Sequence, residues 1–172
     1  MRPDRRTLMI SGSVGLAAAA VQAHGAVEDR RSALLGAWTL VDADTVYADG
    51  RLALWNNRPK PYQGLIIYLP QGLMSVQISA ARPSRAASAP HLTDAEKAAY
   101  FDTYYGYFGR FDIEQAASVV THHVVSSLLP HEIGVVYPRR YELSGDVLTL
   151  TTLQDANAPS GAKNRLVWRR QA

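Results

Sequence analysis

GLIIYLPQGLMSVQI, running from Gly64 to Ile78, consists of two apolar runs broken by Pro70 and Gln71. Each run is too short for a helix and carries isoleucine, valine or tyrosine, so the pair reads as two strands joined by a tight turn. With a two-residue turn, Leu69 pairs with Gly72, Ile67 with Met74 and Leu65 with Val76. Leu65, Ile67, Met74 and Val76 then share one face, and Ser75 and Gln77 share the other. That alternation belongs to an antiparallel pair with one buried and one solvated face.

The same pattern recurs along the chain. Gly36-Ala37-Trp38-Thr39-Leu40-Val41 opens a strand that reaches Tyr47, with Trp38 and Leu40 on one face, and Ala48-Asp49-Gly50 turns the chain. Further strands are expected over Tyr105–Ile113, Ser118–Leu128, Val135–Leu143, Val147–Thr152 and Asn164–Arg169. One helix interrupts them: Thr93-Asp94-Ala95-Glu96 has capping-box spacing and starts a helix through about Tyr104. Its Tyr100, Phe101 and Tyr104 form an aromatic stripe that either closes one end of the core or, with the unpatterned loop from Ala80 to Leu92, forms a lid. Eight short strands, one short helix and no βαβ alternation give an all-β, eight-stranded antiparallel up-and-down barrel. A barrel of this size either fills with side chains or holds one small ligand.

Residues 1–23 read differently. Arg5-Arg6 is a twin-arginine pattern, the Ala- and Gly-rich run Ile10 to Ala20 follows, and Val21-Gln22-Ala23 offers a signal peptidase small residues. The run is too short for a spanning helix, so no stable membrane insertion is expected after cleavage, and the mature protein is expected to be periplasmic or secreted. Residues 24–33 read as a flexible leader and 34–170 as the barrel domain. The signal carries three Arg and one Asp, so its removal lowers the formal charge from +3 to +1. No basic cluster with interleaved aromatics remains, which excludes a nucleic-acid partner. The chain has no cysteine, which excludes disulfides, thiolate metal sites and a Cys nucleophile.

Over Leu35 to Arg170 the chain resembles the lipocalin-like domain family of bacterial and fungal proteins. The resemblance is carried by Leu35-Gly36-Ala37-Trp38, Gly64-Leu65-Ile66-Ile67-Tyr68, Met74-Ser75-Val76-Gln77, Tyr107-Phe108-Gly109, Thr121-His122-His123-Val124, Tyr141-Glu142-Leu143 and Leu166-Val167-Trp168-Arg169. The Gly36-x-Trp38 start is also similar to the first motif of true lipocalins, in which the Trp plugs the closed end beneath a late-strand arginine; Arg169 or Arg170 is that partner here. The Thr-Asp-Tyr motif of true lipocalins is absent. The resemblance implies a barrel with an interior cavity, and in some relatives a pocket used by a cyclase or isomerase.

The faces of the second half follow from strand parity. A four-residue loop over Glu114–Ala117 pairs Phe111 with Val120, Gly109 with His122 and Tyr107 with Val124. His122 then points into the barrel opposite a glycine that leaves room, and His123 points out. Parity also places Arg139 and Tyr141, Leu166 and Trp168, and Asp42 with Asp44 inside. Buried charge needs a partner, so this interior is no ordinary core.

Two readings of the interior follow. In the first, a small hydrophobic or amphipathic molecule packs on Leu65, Ile67, Met74, Val76, Phe111, Val120 and Val124, with Arg139, Tyr141 and His122 orienting its polar or anionic group and Tyr107, Asp44 and Trp168 as further ligand-binding residues. In the second, a cofactor-free isomerase or cyclase uses His122 as general acid or base. A fully packed structural barrel is the third possibility. Adjacent strand residues face opposite ways, so His122 and His123 cannot share an ion, and no HxH, HxxxH or 2-His-1-carboxylate spacing appears. No metal or other cofactor is expected, and no phosphate loop or GxSxG elbow is present.

Overall fold

The computed structural model describes residues 31–80, 92–153 and 161–172. The expected export signal, the expected leader as far as residue 30, and residues 81–91 and 154–160 lie outside the described residues. The elements are β1 (Gly36–Val46), β2 (Leu52–Leu54), β3 (Tyr62–Tyr68), β4 (Leu73–Ala80), α1 (Asp94–Thr103), β5 (Tyr104–Glu114), β6 (Val119–Ser127), β7 (Val136–Ser144), β8 (Val147–Thr152) and β9 (Lys163–Arg170). Strands β1 and β3 to β9 pair antiparallel in order, and β1 closes on β9 from Trp38↔Arg170 to Val46↔Lys163. The result is a closed eight-stranded barrel. The unexpected β2 stands outside the ring, pairing Leu52–Leu54 with the far end of β1.

The first hairpin has the right strands and a different register. The loop holds three residues, Pro70, Gln71 and Gly72: Leu69 N–H donates to Leu73 O at 2.9 Å, and Gly72 takes φ 78°, a left-handed conformation that glycine adopts without strain. Every pair therefore moves by one, to Tyr68↔Met74, Ile66↔Val76 and Gly64↔Ile78. A one-residue slip exchanges the faces of a strand. Ile66 and Tyr68 enter the core with Met74, Val76 and Ile78, whereas Leu65 and Ile67 are half-buried on the outer face.

Two β-bulges reset parity elsewhere. In β1 the register shifts between Leu40 and Asp42, leaving Val41 exposed and turning Ala43 inward where Asp42 was expected. Between β5 and β6 it shifts at Phe108/Gly109, with Val125 as the extra, exposed residue. Gly109 serves this bulge: a Cβ there would collide with the His123 carbonyl oxygen. His122 faces inward, but its partner is Phe111, and Gly109 pairs with Val124. The glycine thus permits a close backbone approach and supplies no space beside His122.

One end of the barrel is closed by Trp38, fully buried, whose Nε1–H donates to Leu34 O at 3.0 Å. Arg170 lies 4.0 Å above its ring and donates to Leu35 O at 2.8 Å and to Ala33 O. Of the two candidates, Arg170 is the residue above the Trp; Arg169 pairs with Thr39 instead. Helix α1 forms with its capping box complete, Thr93 Oγ1 accepting from Glu96 N–H while Glu96 accepts from Thr93 N–H. It buries no residue, and Tyr100 and Phe101 are exposed, so the aromatic stripe does not close the core. Those two rings stand among charged residues in a helix that has no continuous apolar face to press on the barrel. The lid reading involves residues 81–91, outside the described residues.

Candidate functional site

The end opposite Trp38 carries a cavity between the barrel interior and the 3-10 turn Trp55–Asn57. Its volume is about 40 Å³, and about 400 Å³ of empty space when the part open to solvent is included. Six apolar side chains wall it: Ile66 of β3, Val76 and Ile78 of β4, Leu150 of β8, and Leu166 and Trp168 of β9. Trp55, Asn56 and Asn164 stand at the mouth, where Asn164 Nδ2 donates to Asn56 Oδ1 at 3.3 Å. Tyr105, Tyr107, His122 and Arg139 supply the interior polar groups.

Those groups reach the cavity by strand alternation. Tyr105 and Tyr107 are two apart on β5, His122 sits between Val120 and Val124 on β6, and Arg139 shares the inner face of β7 with Tyr141. His122 is fully buried and held at both ring nitrogens, Nε2 at 2.8 Å from Tyr68 Oη and Nδ1 at 2.7 Å from Tyr107 Oη. Burial foremost, then the positive charge of Arg139 and the neighbouring His123, drives its pKa well below the usual 6.5, so the ring is neutral. Burial also raises the pKa of Tyr68 and of Tyr107, and both phenols keep their protons.

Arg139 is buried, with its guanidinium 5.5 Å above the Tyr137 ring and Nη2 donating to Tyr107 Oη at 3.4 Å. Burial is the largest influence and opposes its charge; Tyr107, Tyr105 and Tyr68 raise its pKa chiefly through the charge they carry only when ionised, so beside protonated phenols the guanidinium stays a cation without an ionic partner. Among the described residues no carboxylate pairs with it. The nearby buried acid, Glu132, is engaged elsewhere, accepting from Tyr105 Oη at 3.1 Å and Ser127 Oγ at 2.7 Å. A buried guanidinium facing only neutral acceptors is incompletely compensated.

Of the residues singled out from the sequence, Tyr107, His122, Arg139, Trp168 and Val76 line the cavity. Met74, Phe111, Val120 and Val124 are core residues that do not line it, Phe111 packing edge-on against Tyr68 at 4.8 Å. Tyr141 is buried without a hydrogen-bond partner for its hydroxyl and lines a separate recess beside Ala33 and Ser118, so it does not join Arg139. Asp44 belongs to an ion-pair cluster away from the cavity lining: Arg165 at 2.9 Å and Lys60 at 3.2 Å outweigh the raising effect of burial and hold its pKa below the ordinary value. Asp42 joins that cluster through Lys60 at 2.6 Å. Both aspartates are therefore paired at the barrel rim, and neither is free to orient the imidazole of His122.

Tyr68, Tyr105, Glu132 and Trp55 are further residues of the site that the sequence pattern does not single out. Tyr68 was hidden by the hairpin register, although Gly72 after Pro70-Gln71 is the signal of a three-residue loop. Tyr105 shares parity with Tyr107, so two-residue alternation puts both on one face. Glu132 and Trp55 lie in short 3-10 turns, which no periodicity marks. Among the described residues, no cluster of three or more His, Asp or Glu side chains could hold a metal ion, and no helix is long and apolar enough to cross a membrane.

Comparison with known proteins gives a match to the family described as a lipocalin-like domain over residues 35–171. No curated protein is significantly similar to the chain. Among solved structures, the chain is similar to the crystal structure of Rv2717c from M. tuberculosis, at 14% identity and a TM-score of 0.35, covering 84% of this chain and 96% of that one. That likeness is too low to bear on function.

Proposed function

The chain belongs to the lipocalin-like domain family, whose barrel is a small-molecule-binding fold in general, and from this premise we propose that it is an exported carrier for one small, mostly apolar molecule bearing a polar or anionic group. The observation that carries the proposal is Arg139: a buried cation on the cavity wall, hydrogen-bonded to a neutral phenol and lacking a carboxylate partner among the described residues. A ligand anion at Arg139 supplies the missing charge, and the walls of Ile66, Val76, Ile78, Leu150 and Leu166 take the apolar body. The size of the cavity favours a short ligand over a long-chain one. Export rests on the twin-arginine pattern at Arg5-Arg6.

The test is native mass spectrometry of the protein purified without denaturation from the periplasm or medium of its host. A small bound mass, released on unfolding, is the expected result; a mass equal to the bare chain at every ionisation energy, with no small molecule in the solvent extract, rejects the carrier role.

A second reading, a cofactor-free isomerase or cyclase, is shaped by the hydrogen bonds of His122. Both ring nitrogens are occupied by phenols, so the group offered to a substrate is the Tyr107 hydroxyl, as a proton donor beside Arg139, and His122 holds that hydroxyl in place. Turnover that survives in Tyr107→Phe rejects this form of the enzyme reading.

A further inference from the structure

The hydrogen-bond chain Tyr68–His122–Tyr107 contains one proton more than it can place, and Arg139 adds only donors to it. A neutral imidazole has one N–H and one bare nitrogen. If Nε2 carries the proton, it donates to Tyr68 Oη, Tyr107 O–H donates to Nδ1, and the Tyr68 hydroxyl proton has no acceptor within the chain. If Nδ1 carries it, Tyr68 O–H donates to Nε2 and Tyr107 Oη accepts from both Nδ1–H and Arg139 Nη2, so the Tyr107 proton is left over. Each tautomer thus leaves one phenolic O–H unplaced, and only Tyr107, unlike Tyr68, lines the cavity. Trp168 lines it too, and its Nε1–H is buried with no hydrogen-bond partner among the described residues.

The interior polar surface of the cavity is therefore donor-rich, with a guanidinium and a surplus phenol, and the Trp168 indole N–H lies buried and unpartnered in its wall. Among the described residues, the nearby buried carboxylate is Glu132, which is already accepting from Tyr105 and Ser127. We infer that the ligand group anchored here is a carboxylate, which accepts from Arg139 and from the surplus Tyr107 O–H and so fixes His122 as its Nδ1–H tautomer. A carboxylate brings only acceptors and one negative charge, matching both deficits at once. A neutral amide or alcohol brings a donor of its own and no charge. This inference rests on the carrier reading above and specifies the chemistry of its anchor.

The experiment compares sodium butyrate with butyramide, of nearly equal size, titrated into wild-type protein labelled with 15N-histidine. Calorimetry reads affinity, and long-range 15N–1H correlation reads the His122 tautomer. Butyrate is expected to bind at least about tenfold more tightly than butyramide, the scale of one hydrogen bond to a charged group. In the butyrate complex Nδ1 should give a protonated-type shift and Nε2 an unprotonated one. Tyr107→Phe, which keeps the ring, should reduce the butyrate preference about tenfold. Equal binding of butyramide, or an Nε2–H tautomer in the butyrate complex, overturns the carboxylate anchor and leaves the carrier reading standing. Binding of neither compound, together with no small molecule in the native extract, overturns both.

Discussion

Tyr107 Oη lies 2.7 Å from Nδ1 of His122, and this contact joins the part of the barrel that is packed to the part that is open. On one side His122 reaches back to Tyr68 in the core; on the other Tyr107 faces the cavity beside Arg139. The polar chain has an end in each.

Arg139 is where stability and binding part. A buried guanidinium without an ionic partner costs folding free energy, and an apolar residue of similar volume removes that cost. Arg139→Met is expected to raise the ligand-free unfolding free energy by about 1 kcal/mol or more, read from the urea midpoint at constant m-value. A loss of stability of that size would show that the guanidinium is already compensated within the fold.

His122 makes stability depend on pH. Its folded pKa lies well below 6.5, and in the unfolded chain it is ordinary, so below about pH 6.5 the unfolded state binds a proton that the folded state refuses. Its contribution is complete above about pH 6.5 and is lost as pH falls, at up to about 1.4 kcal/mol per pH unit. The lowered pKa of Asp44 acts only further down, below its ordinary 3.8. Urea titrations between about pH 6.5 and about pH 5 should show this slope in the wild type and a flatter one in His122→Gln. Parallel slopes would contradict a neutral, buried imidazole.

The hairpin register sets the ranking of two neighbours. Ile66 is 1% exposed in the core and Ile67 is half-buried outside, so Ile66→Ala should cost about 2–5 kcal/mol and Ile67→Ala clearly less. Equal costs, or the reverse order, would favour the two-residue turn.

Gly109→Ala tests the bulge. The added methyl meets the His123 backbone oxygen, which no side-chain rotation relieves, so a loss of about 3 kcal/mol or more is expected in thermal unfolding. A change within about 0.5 kcal/mol would mean that the backbone there is free to shift.

These positions also mark how far the sequence can be read. Two-residue alternation brings His122, Tyr107, Arg139, Val76 and Trp168 to one interior, because parity survives a register error of two, which is the error in the β5–β6 loop. An error of one exchanges the faces, and a single left-handed glycine, Gly72, was enough to put Leu65 and Ile67 where Ile66 and Tyr68 belong. Bulges at Val41 and Val125 have no compositional mark, so alternation alone puts Asp42 inside, whereas it lies on the rim. The mouth was illegible for a related reason: Trp55 and Asn56 reach it from a turn in which Asn56 and Asn57 both adopt positive φ, and periodicity says nothing about such a segment.

The most direct test of the carrier account is the affinity of Arg139→Met for sodium butyrate, measured by calorimetry against the wild type under identical salt. With the fold intact by circular dichroism, the account predicts a loss of about tenfold to a hundredfold, the loss of a charged hydrogen bond in a buried site. Unchanged affinity in a folded Arg139→Met would contradict it.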